Sequence, residues 1–342
     1  DLQKLQDGKF SLLDSIRSMA ARGISVIFIT HRLQEILSVC DKVVIMRDGV
    51  VVKDTPASET DVSEITRCMV GRSVDLSSAK REIVDHSGAK TILSIRNLWV
   101  DMPGETVRNV TLDVKEGEIL GIVGVSGNGQ NELVEAITGL RSWESGEVLL
   151  DDAPLACGSI RNRRLNKIGY VPQDRIRYGS SRDSSLVENC IMGYHLQHLR
   201  KKKFLMDYNA AASFTKDIVS NYKVKAGSIQ DNAGSLSGGN LQKLIVGREF
   251  SQNNKVLVIE DPTRGIDVGA IEFIWHEIQK QVEEEGVSVI LITYDLNEAM
   301  TLSDRILVMF DGNFNHEFAG PDYDEKEIGL YMMGGGSNEK DA

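Results

Sequence analysis

The feature that most constrains this chain is an internal repeat. Residues 23–49 (GISVIFITHRLQEILSVCDKVVIMRDG) align without a gap on residues 286–312 (GVSVILITYDLNEAMTLSDRILVMFDG), an offset of 263. Gly23, Ser25, Val26, Ile27, Ile29, Thr30, Leu33, Glu35, Asp41, Met46, Asp48 and Gly49 all recur at that offset. It also carries Asp61, Glu64, Ile65, Met69 and Gly71 onto Asp324, Glu327, Ile328, Met332 and Gly334. One register held this long marks the ends of two domains of the same kind. The second copy has a long N-terminal part starting near Thr91, so a first copy of equal length would begin about 170 residues ahead of Asp1. The expectation is a duplicated protein without most of its first copy, Asp1 being a cut end. Residues 1–71 are then the C-terminal part of a first domain, 72–90 a polar linker, 91–334 the second domain and 335–342 a flexible tail. Residues 1–71 alone supply a helix, a strand, a short helix and a hairpin, too few elements to close a core.

Hydrophobic patterning gives the fold class. ISVIFIT (24–30), EILGIV (118–123), VLVIE (256–260) and VSVILIT (287–293) are short, apolar and β-branched, as strands buried on both faces are. VVIMRDGVVV and ILVMFDGNF read as hairpins turning at Asp48-Gly49 and Asp311-Gly312. TILSIRNLWV and NVTLDV add further strands, and residues 200–222 read as helical. Strands alternating with helices predict an α/β core around a mainly parallel sheet.

Composition narrows the function. Lys+Arg 39 against Asp+Glu 50 leaves a net charge of −11, the wrong sign for a nucleic-acid partner. No apolar run approaches the ~20 residues that cross a bilayer. Cys40, Cys68, Cys157 and Cys190 form no C-x-x-C pair, which argues against zinc and against a disulfide framework.

Three segments carry chemistry. Gly124-Val125-Ser126-Gly127-Asn128-Gly129-Gln130-Asn131 leaves a buried strand and opens a helix, where main-chain N–H groups and the helix dipole can hold phosphate. The phosphate-loop pattern G-x-x-x-x-G-K-[ST] is not met: Gln130 replaces Lys, and Asn131 stands where a Mg²⁺-binding hydroxyl belongs. On these residues alone, a plain strand-to-helix glycine turn is equally open. Leu236-Ser237-Gly238-Gly239-Asn240-Leu241-Gln242 is the second segment. It precedes the third, a buried strand ending in Glu260 and Asp261 and followed by Pro262-Thr263-Arg264-Gly265-Ile266-Asp267. The last strand ends at Tyr294.

In this order the segments resemble the nucleotide-binding domain of ATP-binding cassette transporters. LSGGN-x-Q is similar to the family signature, EDPTRGID to its Walker B and D-loop, YVPQDR to its Q-loop at Gln173, and ITHR to its switch histidine at His31. GNGQNE, VPQDR, LSGGN and PTRGIDVGAIEF further resemble importers of simple sugars and nucleosides. The resemblance implies a P-loop NTPase domain with an antiparallel β subdomain and a helical signature subdomain. It implies ATP and Mg²⁺ as ligands, and two cassettes facing head to tail, each site shared between one P-loop and the other's signature. The implied nucleotide contacts are Gly124, Ser126, Gly127, Asn128, Gly129, Gln130, Asn131, Glu132, Gln173, Ser237, Gly238, Gly239, Asn240, Gln242 and Tyr294. Asn131, Gln173 and Glu260 stand at the Mg²⁺ positions, and His31 and Asp261 at catalytic ones. The implied partners are membrane permease subunits, an extracytoplasmic substrate-binding protein and the first cassette, at the cytoplasmic face of the cell membrane.

The second copy departs from that pattern at each catalytic position. Gln130 carries no charge, Glu260-Asp261 reverses the usual Asp-Glu order, Tyr294 replaces the switch histidine, and no adenine-stacking aromatic stands at Met102. The expectation is a degenerate second P-loop site, with Ser237, Gly238 and Gly239 completing the site of the first copy, to which His31 belongs. Two other readings stand beside it: a non-hydrolysing nucleotide-binding or regulatory module, and a soluble twin-cassette protein acting on ribosomes. His195 and His198 read as one polar helix face rather than a metal edge, and Arg200–Lys203 as a solvated basic run.

Overall fold

The computed structural model describes residues 12–30, 33–47, 49–71, 81–100, 106–195 and 206–335. They divide into two compact units, residues 1–76 with Gly265–Glu272, and residues 77–264 with 273–342.

In the first unit, α1 (Leu12–Ala21) and α2 (Leu33–Val39) precede a hairpin of β1 (Lys42–Arg47) and β2 (Val50–Pro56), then α3 (Val62–Val70). Leu33, Val43, Ile45 and Ile65 form its small buried cluster. Asp61 caps α3 through Glu64 N–H, and Gly71 ends it in the left-handed conformation.

The second unit begins with an antiparallel sheet of β3 (Thr91–Val100), β4 (Val107–Lys115), β6 (Ser145–Leu150) and β7 (Ala153–Pro154), in the order β4-β3-β6-β7. Beside it lies a six-stranded sheet. Its members are β5 (Ile119–Val123), β8 (Ile168–Val171), β9 (Val256–Glu260), β10 (Ser288–Ile292), β11 (Arg305–Phe310) and β12 (Asn313–Ala319), in the order β12-β11-β5-β10-β9-β8. All pairs are parallel except β11–β12. β5, β9 and β10 are buried along their whole length, the pattern of strands covered on both faces. The main core joins Leu93 and Ile95 of the first sheet to Leu120, Ile122 and Ile290 of the second, with Leu133 and Ile137 of α4 (Gln130–Thr138) between. The helices α6 (Leu186–Ile191), α7 (Tyr208–Asn221) and α8 (Gly238–Phe250) make up the helical part. α7 begins at 208, inside the expected 200–222, because the Asp207 carboxylate accepts from Asn209 and Ala210 N–H.

The repeat is legible in three dimensions. α2, β1 and β2 recur, shifted by 263, as α10 (Leu296–Leu302), β11 and β12, with the same bounds. The hairpin irregularity between Ile45 and Met46 returns between Val308 and Met309. Asp61 and Asp324 both cap helices, the second being α11 (Glu325–Met332).

One expectation fails. Residues 24–30 form no strand, and Ile27 and Ile29 are 91% and 92% exposed. Their counterpart β10 is hydrogen-bonded between β5 and β9. Among the described residues no strand pairs with 24–30, so its main-chain groups have no ladder to join. A second difference concerns the expected linker. Residues 72–80 lie outside the described residues, but Arg81–Lys90 is fixed to the second unit. Arg81 Nη1 lies 2.5 Å from Asp304 Oδ2, Val84 N–H donates to Asp304 Oδ1 at 3.0 Å, and both Arg81 and Asp304 are buried. Of the expected tail, residues 336–342 lie outside the described residues.

Candidate nucleotide site

The glycine-rich loop runs from β5 to α4. Gly127 and Gly129 take φ of 93° and 100°, a region that favours glycine, and Gly129 stands at the N-cap of α4 without a side-chain cap. The helices starting at Val62, Ile160, Leu186, Tyr208, Gly238, Leu296 and Glu325 are all capped by an Asp or Ser side chain. Gly129 offers α4 no side-chain cap of that kind, as suits an anion at its N-terminus.

Gln130 explains what replaces the missing lysine. It is buried, and its side chain closes the loop on itself: Oε1 accepts from Asn128 N–H at 3.2 Å and Nε2 donates to Val125 O at 3.2 Å. A cationic side chain would have no use for the Asn128 N–H; the amide takes it out of phosphate reach. Asn128 also ties the loop to the β11–β12 turn, through Asp311 N–H to Oδ1 at 2.8 Å and Gly312 N–H to its carbonyl at 3.0 Å. Ser126, Gly127 and Asn131 are exposed, and Glu132 is buried in the first turn of α4.

The strand-end carboxylates face the loop's sheet edge in two settings. Glu260 accepts a short hydrogen bond from the Tyr170 hydroxyl, and burial raises its pKa to about 7, with Asp261 beside it adding to the rise. The Tyr170 hydroxyl is pushed far upward, also by burial. Asp261 has φ of 37°, in the left-handed region, so its carboxylate turns away from the strand direction. Gln173 Nε2 donates to its Oδ2 at 2.6 Å and Tyr294 N–H to its Oδ1 at 2.9 Å. Burial raises the Asp261 pKa as well. The structure therefore brings Gln173, Glu260, Asp261 and Tyr294 together. His31 and Met102 lie outside the described residues.

Mg²⁺ prefers oxygen ligands in a near-ideal octahedron. Of the three residues at its expected positions, Asn131 and Gln173 are amides and Glu260 is engaged by Tyr170. Among the described residues, no three His, Cys, Asp or Glu side chains converge on a metal position. Asn131 and Gln173 can still offer amide oxygens and Glu260 a carboxylate, so these residues would hold Mg²⁺ only together with nucleotide phosphates and water.

The signature segment stands on α8. Ser237 is exposed and caps the helix, accepting from Asn240 N–H and from Asn240 Nδ2 at 2.8 Å, while Asn240 Oδ1 accepts from Lys225 N–H. Gln242 is buried within the helix, unlike the exposed Ser237. Three residues not singled out from sequence complete the region. Tyr170 is one. Arg175 is another: it donates to the Arg264 carbonyl at 2.7 Å, and its Nη2 lies 3.0 Å from where a Cβ on Gly238 would stand. The third is Glu249, fully buried, ion-paired with Arg248 at 2.8 Å and bonded by the Tyr194 hydroxyl. Tyr170 and Arg175 stand in the YVPQDR segment that resembles the Q-loop, the available signal for both; Glu249 gave none, since its partner Tyr194 is remote in sequence.

Comparison with known proteins follows the same lines. A family described as ABC transporter matches residues 107–264. The chain is 41% identical over 333 residues to the glucose import ATP-binding protein TsgD13 of Haloferax volcanii, covering 95% of this chain and 59% of that protein. It is 37% identical over 333 residues to the guanosine import ATP-binding protein NupO of Bacillus subtilis, covering 97% of this chain and 64% of that protein. The chain thus spans about three-fifths of the length of these relatives. A dimeric ATP-binding cassette solved in a post-hydrolysis state with ADP and Pi shares the fold, with TM-score 0.58 and 24% identity, covering 68% of this chain and 100% of that one. A nucleotide-free cassette from an ABC transporter gives TM-score 0.58 at 19% identity, covering 72% and 96%. Residues 107–264 thus match the ABC transporter family, and the antiparallel sheet, parallel sheet and helical part have the P-loop NTPase fold of solved ATP-binding cassettes.

Proposed function

We propose that this chain is part of the ATP-binding, energy-coupling subunit of an importer for simple sugars or nucleosides, and that its own P-loop site is degenerate. Nucleotide bound there is held without turnover. The signature Ser237–Gly239 instead completes the site of a first cassette, of which residues 12–71 are the end and to which His31 contributes. The two relatives named for glucose and guanosine import support the solute class. The observation that carries the degenerate site is Gln130, whose side chain is spent inside the loop while Glu260 and Asp261 are engaged by Tyr170, Gln173 and Tyr294. Losing the lysine removes a charge-assisted hydrogen bond to phosphate, worth ~1.5–3 kcal/mol. The exposure of Ser237 at the N-terminus of α8 supports this reading.

The partners in this reading are membrane permease subunits and an extracytoplasmic substrate-binding protein, with the chain peripheral at the cytoplasmic face. A shallow groove of about 340 Å³, lined by Ser184, Glu188, Ile191, Met192 and Met206, follows the Q-loop and suits a permease segment. Net charge −11 speaks against a ribosomal partner.

The test is ATP turnover by the full-length transporter complex. Ser237→Arg should abolish it and Gln130→Ala should leave it within about twofold. Equal losses from the two changes would overturn the assignment.

A further inference from the structure

Two acids stand at the end of β9, and both are committed inside the protein. Glu260 is buried, and its Oε2 accepts a short hydrogen bond from the Tyr170 hydroxyl. Gln173 N–H donates to the same carboxylate. Both donors belong to β8 and the residues just after it. In the sheet order β5-β10-β9-β8, they lie on the side of β9 away from β5 and its glycine-rich loop. Tyr170 is itself held at its root. Its ring packs against the main core, and its N–H donates to Oε2 of the fully buried Glu249 at 3.4 Å. Glu249 is in turn ion-paired with Arg248 at 2.8 Å and bonded by the Tyr194 hydroxyl. A phenol anchored in this way presents its hydroxyl to Glu260 without rearrangement. Asp261, the other acid, is taken up by Gln173 Nε2 and Tyr294 N–H.

Mg²⁺ carried by a nucleotide uses one or two carboxylates at most and keeps several of its waters. To become such a ligand, Glu260 must give up the Tyr170 hydroxyl. Water replaces a carboxylate on the metal readily, whereas no water stands in for a buried phenol. The balance therefore favours Glu260 staying with β8. We propose that Tyr170 is a positioning residue that keeps the Glu260 carboxylate turned toward β8, so that nucleotide bound at this P-loop gains little affinity from Mg²⁺. The inference rests on the nucleotide-binding reading of the loop and adds the metal state in which nucleotide is taken. Asn131 and Gln173 then offer the metal only neutral amide oxygens, and the loop's N–H groups carry the phosphate contacts.

The test is binding of a fluorescent ATP analogue to the chain, with Mg²⁺ and with EDTA. Tyr170→Phe keeps the ring and frees the carboxylate. Losing the donor raises the Glu260 pKa further, so the titrations are run at pH 8.5 to favour the charged form. The gain in affinity on adding Mg²⁺ should be about five- to tenfold larger in Tyr170→Phe than in the parent. Adding Glu260→Gln to Tyr170→Phe should return the gain to the parent's. With Mn²⁺ in place of Mg²⁺, water-proton relaxation should count fewer waters on the bound metal in Tyr170→Phe than in the parent. A tyrosine with only a structural role would lower the unfolding temperature when replaced and leave the Mg²⁺ gain where it was. That outcome, or an enlarged gain that persists with Glu260→Gln, would overturn the proposal alone. Absence of analogue binding to parent and variant, with and without metal, would overturn the nucleotide reading of the loop and this inference with it.

Discussion

Gln173 Nε2 lies 2.6 Å from Asp261 Oδ2, and this contact fastens the segment after β8 to the end of β9. The other carboxylate oxygen accepts from Tyr294 N–H, so three separate chain segments meet on one side chain. A group with so many obligations cannot also be free to orient a water molecule.

Replacing Gln173 by Leu removes the Oδ2 donor and leaves a buried carboxylate half-paired. An orphaned buried acceptor costs ~1–3 kcal/mol. Burial holds the folded-state pKa of Asp261 above its unfolded value, and losing the donor raises it further. Protonation therefore relieves the penalty. Thermal unfolding should show the variant clearly destabilised at pH 8 and nearer the parent at pH 5.

Glu260 gives a sharper pH signature. Its folded pKa of about 7 lies above the model-peptide value of 4.5, so folding favours the neutral acid. Its contribution is complete below pH 4.5 and is lost as pH rises through 7, amounting on the order of 3 kcal/mol. Glu260→Gln retains the neutral form at every pH. Its stability should gain on the parent between pH 5 and 8, measured as the difference in unfolding temperature. Tyr170→Phe removes a donor to the carboxylate and raises the Glu260 pKa further, so the loss should deepen and extend to higher pH than in the parent.

These relations divide sharply by how far they were legible in the sequence. The strands VLVIE and VSVILIT, the β11–β12 hairpin and the turn Gly124–Asn131 are set by local pattern, and they appear where the residues put them. ISVIFIT carries the same pattern and fails, because a buried strand is a property of its neighbours as much as of its own residues. Gln130 was visible as a missing lysine, but its fold back onto Val125 and Asn128 depends on the loop's final shape. Tyr170 meets Glu260 across 90 positions, and Arg81 meets Asp304 across 223, distances at which no local rule operates.

Gln130→Lys tests whether charge alone disables the P-loop. By the resemblance to the phosphate-loop pattern, the ammonium would stand where a lysine meets phosphate, adding a bond worth ~1.5–3 kcal/mol, or roughly ten- to a hundredfold in affinity. It also releases the Asn128 N–H from Gln130 Oε1. Binding of a fluorescent ATP analogue to the chain should tighten by at least about tenfold. Turnover should stay absent, since the reversed Glu260-Asp261 order and Tyr294 are untouched. Turnover appearing with the single change would show that the carboxylates were competent all along.

Asp304 anchors residues 81–90, and its partners are unequal. It accepts from Arg81 Nη1 at 2.5 Å, Val84 N–H at 3.0 Å and Ile119 N–H at 2.8 Å, and lies 3.4 Å from His86 Nε2. Arg81→Ala removes one cation, but the carboxylate keeps its backbone donors and the neighbouring histidine. Asp304→Ala instead leaves two N–H groups without that acceptor and a buried guanidinium with only the Glu283 carboxylate, 3.6 Å from its Nε. Breaking a buried pair this way costs ~3–5 kcal/mol, and the orphaned N–H groups add to it. The expected order of unfolding temperatures is parent, then Arg81→Ala, then Asp304→Ala. Arg81→Ala should also free Arg81–Lys90 to a protease acting on exposed chain, and Asp304→Ala should do so at lower protease concentration. Equal losses from the two variants would mean that the Arg81 contact, rather than the backbone donors on Asp304, carries the anchoring energy.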